Sequence, residues 1–298
     1  MKNTFIFISI SVVIFISILF FFFLNRKDRK DKKDKEENYL NEKKEEKKDE
    51  KEEKKEKKIK IINLVLFSNS PLYDKMYDIS NKFYSRYKNV TTIYYTYSSD
   101  IYEDYYHDKQ KNILLIKGKE SFIPGILDKT IKAFEYVYSH YPHYDYIVRT
   151  NISTIVDFNK LNKLLYEDKV DYATSNLITV FKGYRSPFYG INDDRFQGLE
   201  YPSGTCIIFS QKLFKKMMNL TNLSNLLERS VIDDVAIGFL IKVHLPEFKL
   251  HNYSEYFTEN CRDNLSDNDN DDKIFFRNRK DENREKDIEC MKKTINSF

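Results

Sequence analysis

Three stretches of the 298-residue chain gather the side chains able to do chemistry. Residues 120–130 (ESFIPGILDKT) place Glu120 ahead of the pair Lys129 and Thr130. Residues 144–154 (YDYIVRTNIST) end an apolar run in Arg149, Thr150, Asn151 and Ser153. The third stretch runs from 201–210 (YPSGTCIIFS) to 232–238 (IDDVAIG), where Asp233 and Asp234 stand side by side. Carboxylates of this kind can accept protons, and basic groups can offset phosphate charge. Structural uses compete with these roles. Ser230, three residues before Asp233, reads as a capping box that opens a helix carrying Ile232, Val235, Ala236 and Phe239. Gly204 reads equally as a point of close backbone approach or as a plain turn glycine.

Several chemistries are excluded by pattern. No GxGxxG, GxxxxGK[ST] or GxSxG is present, so dinucleotide, P-loop and hydrolase-elbow readings fail. Of the three cysteines none forms a CxxC, and a zinc site is not indicated. Cys261 and Cys290 could pair if the domain is extracytosolic, while Cys206 lies in an apolar run and reads as core. The histidines, among them His107, His140 and His143 in tyrosine-rich stretches that read as loops, show no ligand spacing on a clear helix and read as surface residues. The Asp/Asn run 263–272 lacks the glycine and terminal Glu of a calcium loop and reads as a solvated loop.

These groups need a scaffold, and the hydrophobic pattern supplies one. Residues 59–67 (IKIINLVLF), 90–97, 112–116, 144–148 and 170–173 read as strands. Between them, Leu72, Met76, Ile79 and Phe83 fall at helical spacing, as do Leu127, Thr130, Ile131, Phe134 and Tyr138, and then Leu161, Leu164 and Leu165. Strands alternating with helices predict an α/β fold with a largely parallel sheet. Ligands of such sheets bind beyond the C-terminal strand ends, which directs attention to the loops after the first and fourth strands.

Ahead of this domain, residues 5–24 form a twenty-residue run of Phe, Ile, Val and Leu interrupted only by Ser9, Ser11 and Ser17. At about 1.5 Å per residue the run spans a bilayer core of roughly 30 Å. It is long for a signal peptide and no small-x-small cleavage site follows, so it reads as a retained transmembrane signal anchor behind a short tail, residues 1–4. Residues 25–58 hold sixteen basic and thirteen acidic side chains. That stem is too polar to bury a core, and Glu and Lys at spacings of three and four suit a solvated, ion-paired helix. It has no apolar a/d seam for a coiled-coil partner. With the stem and Lys2 set aside, residues 59–298 carry 33 basic and 33 acidic residues. A neutral domain argues against nucleic acid as a partner. The basic cluster from Arg26 to Lys33 would place the domain in the cytosol by the positive-inside rule, so orientation stays open on this feature.

Taken in order, the three stretches resemble the fringe and β-1,3-galactosyltransferase family of inverting, Golgi-type glycosyltransferases, over about residues 60–245. The parallels are an acidic-x-aromatic stretch leading to a Lys-Thr pair, a strand ending where the family has an acidic triplet, a Tyr-Pro…Ser-Gly…Ser segment, and Asp233-Asp234-Val235…Gly238 for the family's Glu-Asp-Val-x-x-Gly. The resemblance implies a Rossmann-like GT-A fold. It also implies transfer of a sugar from a nucleotide donor, usually a UDP-sugar, to a hydroxyl of a glycan or protein acceptor with inversion. The family's base carries over to Asp234, with Asp233 in reserve, and its donor site to Arg149, Thr150, Asn151, Ser153 and Gly204. Residues 183–190 (GYRSPFYG) would be a hairpin or flexible loop covering the donor. Anchor, stem and domain together would make a single-pass type II membrane protein facing an ER- or Golgi-type lumen, against the basic flank.

The departure from the family is the metal motif. The triplet that holds Mn²⁺ aligns with Asn151, Ile152 and Ser153, which lack the negative charge a divalent cation prefers. Three expectations stand side by side. The enzyme works without metal, using Arg149, Lys182 or Arg185; or a weak site persists with Asn151, Ser153 and Asp193 or Asp194; or catalysis is lost and a binding or scaffold protein remains. A cytosol-facing protein with an unrelated α/β domain is the further alternative. Asn151-Ile-Ser153 also matches the N-glycosylation pattern, as do Asn89, Asn219, Asn222, Asn252 and Asn264, which an asparagine-rich chain produces by chance.

Overall fold

The structure, a computed structural model, describes residues 58–259, 261, 272–280 and 283–298. The apolar run 5–24 and the stem through residue 57 lie outside the described residues. Among the described residues no helix is long and apolar enough to cross a membrane.

Residues from Lys58 onward form one compact unit. Its elements are β1 (Ile61–Leu66), α1 (Pro71–Tyr84), β2 (Val90–Ser98), β3 (Tyr105–Asp108), β4 (Ile113–Lys117), α2 (Gly125–His140), β5 (Tyr146–Asn151) and β6 (Thr154–Val156). There follow α3 (Phe158–Asp168), β7 (Tyr172–Thr174), β8 (Leu177–Thr179), β9 (Glu200–Pro202), β10 (Cys206–Ser210), α4 (Gln211–Met218) and α5 (Leu223–Leu226). Next come α6 (Asp233–His244), β11 (His251–Asn252), β12 (Phe257–Glu259), β13 (Phe275–Arg277) and α7 (Glu285–Asn296).

Eight strands make one sheet in the order β11-β7-β10-β5-β1-β2-β4-β3. The pairs β1–β2, β1–β5, β2–β4 and β7–β11 are parallel. Only β10 and β3 run against their neighbours. This is the α/β fold with a mostly parallel sheet that the sequence predicts, and it is compatible with a Rossmann-like arrangement. The chain leaves β1 toward β2 and β4, then returns through α2 to β5 on the other side of β1. The strand order therefore reverses between β1 and β5, the switch point beyond whose C-terminal strand ends sheets of this kind bind their ligands.

Two cores cover the two faces. Ile62, Leu64, Ile93, Tyr95 and Ile147 pack with Phe134 of α2, Phe214 of α4 and Val235 of α6. Ile61, Val65, Tyr94 and Val148 pack on the other face with Met76 and Phe83 of α1, Leu161 of α3 and Met291 of α7. The period-2 alternation of strand side chains assigns each residue its face. Helix starts follow local chemistry: Ser70 accepts from the Tyr73 N–H ahead of Pro71, and Asp157 accepts from the N–H groups of Asn159 and Lys160. A smaller sheet, β12-β13-β6, sets β13 antiparallel to β6, and a disulfide joins Cys261 to Cys290 in α7.

Candidate active site

Alternation along β5 decides what each of its polar residues does. Ile147 and Arg149 face α2 and α6, while Val148 and Thr150 face the opposite core. Thr150 accordingly donates to Asn63 Oδ1 at 3.2 Å inside the sheet, and it lies away from the groups around Arg149. The Arg149 guanidinium, 1% exposed, forms a buried ion pair with Asp233. It also donates to the Gly204 carbonyl at 2.5 Å and to Asn151 Oδ1 at 3.2 Å.

α6 brings the carboxylates. Its N-cap is Ile232, without a side-chain cap, and Asp233 and Asp234 occupy the first turn. The capping box expected from Ser230 and Asp233 does not form: Ser230 Oγ donates to Glu228 at 2.7 Å, and Asp233 turns inward to Arg149. A buried guanidinium is a stronger partner for Asp233 than a serine backbone N–H. The partial positive charge of the helix N-terminus favours both carboxylates there. Close approach sets their height. A Cβ on Gly238 would lie 2.6 Å from the Tyr201 Cβ, so only glycine lets α6 pack this tightly on β9.

Asp234 has a different environment from its neighbour. Oδ2 accepts from the Gly204 N–H at 2.9 Å and Oδ1 from the Val235 N–H at 2.9 Å. Burial and then the adjacent Asp233 charge push its proton affinity up, to a pKa of about 7, against the opposing pull of Arg149 and the two N–H groups. One carboxylate is thus committed to a cation and the other is poised to exchange a proton near neutrality, an arrangement suited to general acid–base work.

On the β2 side of the switch point, Lys129 of α2 is fully buried and donates to Glu120 at 2.6 and 2.8 Å, to the Phe67 carbonyl at 2.9 Å and to Ser68 Oγ at 3.4 Å. Burial lowers its pKa, which the Glu120 carboxylate partly restores. Glu120 also accepts from Thr96 Oγ1 and the Tyr97 N–H. The acidic-x-aromatic stretch and the Lys-Thr pair therefore meet at the C-terminal ends of β1 and β2.

Segment 183–190 folds as a turn closed by a Ser186–Ile191 bridge around a single 3₁₀ turn, Pro187–Tyr189. It docks beside the carboxylates: the Tyr189 carbonyl accepts from the Ile232 N–H at 3.2 Å. Gly190 sits at φ +75°, and a Cβ there would come within 1.9 Å of the Ser230 carbonyl. Exposed Phe188 meets exposed Phe122 with ring centroids 4.9 Å apart, which joins segment 183–190 to the stretch ahead of α2.

The position of the family's metal motif does not fit a divalent cation. Asn151 Oδ1 already receives a hydrogen bond from the Arg149 guanidinium, which occupies the acceptor a cation would need. Ser153 is 3% exposed and its carbonyl accepts from the Asn278 N–H at 2.8 Å. Asp193 pairs with Arg195 and Asp194 with Arg185, so neither completes a site. Among the described residues no three His, Cys, Asp or Glu side chains group to hold a metal ion.

Arg149, which the sequence offers for offsetting phosphate charge, is already held by Asp233. It is enclosed and neutralised, because its strand position points it under α6. Arg185 is likewise engaged, while Lys182 lies exposed on the surface. One neighbour escaped notice. Arg277, at the end of β13, donates to Thr205 Oγ1 at 2.6 Å. It lies 73 positions after Gly204, and no local pattern marks it. Two of the histidines expected in loops lie in elements: His107 belongs to β3 and bonds the Tyr136 hydroxyl at 3.2 Å, and His140 ends α2 stacked on Tyr136. They line a cleft of about 420 Å³ at the far edge of the sheet. Compared with protein-family models and with curated proteins, the chain matches none.

Proposed function

We propose that the chain is a membrane-anchored glycosyltransferase whose domain is of the GT-A type seen in the fringe and β-1,3-galactosyltransferase family. It transfers a sugar from a nucleotide donor, a UDP-sugar in the first instance, to an acceptor hydroxyl with inversion. The observation that carries the reading is Asp234. It stands at the head of a helix beside the topological switch point, held by two N–H groups, with its pKa raised by burial and by Asp233. A base that must be ionised to act yet hold a proton afterwards needs such a value near the working pH. Asp233 serves as the fixed counter-charge of Arg149 and positions the helix end.

In this reading residues 5–24 are the signal anchor and the domain faces an oxidising lumen. The Cys261–Cys290 disulfide supports that side of the membrane, because such bonds persist in secretory compartments and are rare in the cytosol. A catalytically degenerate binding protein is the second reading. It is favoured by one observation, that Asn151 and Ser153 are unsuited to the metal the family uses.

The test incubates the full chain in detergent micelles with a panel of UDP-sugars, and measures release of UDP with and without a glycan acceptor. Native protein releases UDP and D234N does not, with equal far-UV circular dichroism. Release by D234N at the native rate removes Asp234 as the base. UDP binding without release from any donor favours the degenerate reading.

A further inference from the structure

Six Asn-x-Ser/Thr triplets occur in the chain, and the sequence gives no reason to prefer any of them. Asparagine-linked glycosylation replaces one hydrogen of the carboxamide nitrogen by the anomeric carbon of an oligosaccharide. The product is bulky and hydrated, so a native fold accommodates it only where that nitrogen is accessible to solvent. The structure divides the triplets by this requirement.

Two are excluded. Asn89 Nδ2 donates to the Ile59 carbonyl at 2.8 Å and to Asn162 Oδ1 at 3.3 Å, which uses both of its hydrogens. Asn151 pairs with Leu66 of β1, its Oδ1 accepts from Arg149, and Ser153, which carries the hydroxyl of that triplet, is 3% exposed. Asn264 lies outside the described residues. Asn219, Asn222 and Asn252 are exposed, as are Thr221, Ser224 and Ser254 two positions on.

Among these three, Asn252 has an arrangement the others lack. Asn219 is held through its oxygen by the Tyr138 hydroxyl at 2.8 Å, and Asn222 makes no side-chain cap bond at the head of α5. Asn252 Nδ2 donates to Ser254 Oγ at 3.1 Å, while its Oδ1 accepts from the Ser254 N–H at 3.1 Å. The hydroxyl that the triplet requires thus touches the nitrogen that reacts. Both bonds close within three residues, so this turn is open to the chain before it folds.

We propose that Asn252 is a glycosylation site and carries an N-linked oligosaccharide. The inference rests on the lumenal placement within the glycosyltransferase reading, and the Cys261–Cys290 disulfide supports the same compartment. The donor is a lipid-linked oligosaccharide diphosphate, which the secretory membrane supplies together with its transferase. Asn252 Nδ2 forms a bond to the anomeric carbon. The bond from that carbon to the diphosphate oxygen breaks with its electron pair on the oxygen, and the displaced amide proton passes to a base of the transferase. The glycan then stands at the end of β11, an edge strand of the eight-stranded sheet, where its bulk blocks pairing with another chain.

The experiment translates the full chain into sealed microsomes. A glycosidase that converts a glycosylated Asn to Asp is then applied in heavy-oxygen water, and peptides are mapped by mass spectrometry. Heavy Asp is expected at position 252 and at neither 89 nor 151. On gels N252Q and S254A each run one glycan step ahead of the native chain, whereas S254T keeps the native mobility. Protease added outside the microsomes reports orientation independently, since a lumenal domain survives it. A protected domain with a bare Asn252 overturns the proposal and leaves the lumenal reading standing. Glycan on Asn89 or Asn151 of the protease-resistant protein overturns the sorting by structure. A digested domain with a bare Asn252 overturns both the proposal and the lumenal reading.

Discussion

Substituting Asp234 by Asn tests the site through stability, independently of any substrate. The carboxyl is carried from its ordinary 3.8 to about 7. At about 1.4 kcal/mol for each pH unit, ionising it in the folded protein at neutral pH costs on the order of 4 kcal/mol relative to the unfolded chain. The sign follows from proton counting. Between pH 4 and 7 the folded state holds a proton that the unfolded state has lost, so stability falls as pH rises through this window. Below about pH 4 both states are protonated and the penalty vanishes; above about pH 7 it is complete. Asn removes the charge but accepts through one oxygen only, so one of the bonds from Gly204 or Val235 is lost, at a cost of about 1 to 2 kcal/mol. The balance at pH 8 favours D234N by about 2 kcal/mol, or roughly 5 °C in melting temperature for a domain of this size. At pH 4 the protonated carboxyl, like the amide, accepts through one carbonyl oxygen, so the two proteins differ little. Circular dichroism melts of both proteins therefore converge toward pH 4 and separate, with D234N the more stable, toward pH 8. A constant difference across the range, or a D234N that is less stable at pH 8, refutes the environment assigned to Asp234 and with it the case for a base.

Replacing Arg149 by Met strands a buried carboxylate; the expected loss is about 3 to 5 kcal/mol in urea unfolding, and R149M/D233L recovers most of it. A double variant no better than R149M would show that the pair is not coupled. Native protein shows no thiol reactive toward Ellman's reagent, because Cys206 is fully buried and the other two cysteines are bonded, and unfolding without reductant releases one. Three thiols on unfolding would remove the disulfide. C290S, opening a link between residues 29 apart, lowers stability by about 3 kcal/mol as read from the urea midpoint. G204A sets a methyl 3.1 Å from both Arg149 Nη1 and Asp234 Oδ2, and it lowers UDP release more than it lowers the melting temperature.

The parallel core of this fold was legible because buried strands declare themselves. Ile61, Ile62, Leu64 and Val65 leave no polar side to mistake for solvent, and the helices between strands keep a clean period. The apolar run of β5 ends at Val148, whereas the strand continues to Asn151. A charged residue looks like a strand end until its partner is known, and Asp233 lies 84 positions away. The same distance hid the site's internal neutralisation. Strand β3, with Tyr105 and Tyr106, carries no strand signal because it is an edge strand with no continuous apolar run. The reversed direction of β10 has no local signature at all. Asp234 was chosen over Asp233 by alignment and by a capping argument. The structure separates the two residues by something else, the direction in which the first turn of α6 presents each of them.

The two ends of the domain meet. Phe83 of α1 packs its ring 5.2 Å from that of Phe298, and Arg284, just before α7, lies over the ring of Tyr73. During synthesis α1 emerges first and α7 some two hundred residues later. At about 5 to 20 residues per second, the interval is roughly 10 to 40 seconds. Through that time α1 packs on the sheet through Met76 and Phe83 but lacks the contacts that Phe298 and Arg284 add, and Arg277 has yet to arrive beside Thr205. The last residues synthesised thus close the flank of the first helix, and the contact to loop 203–205 forms only as that final segment docks.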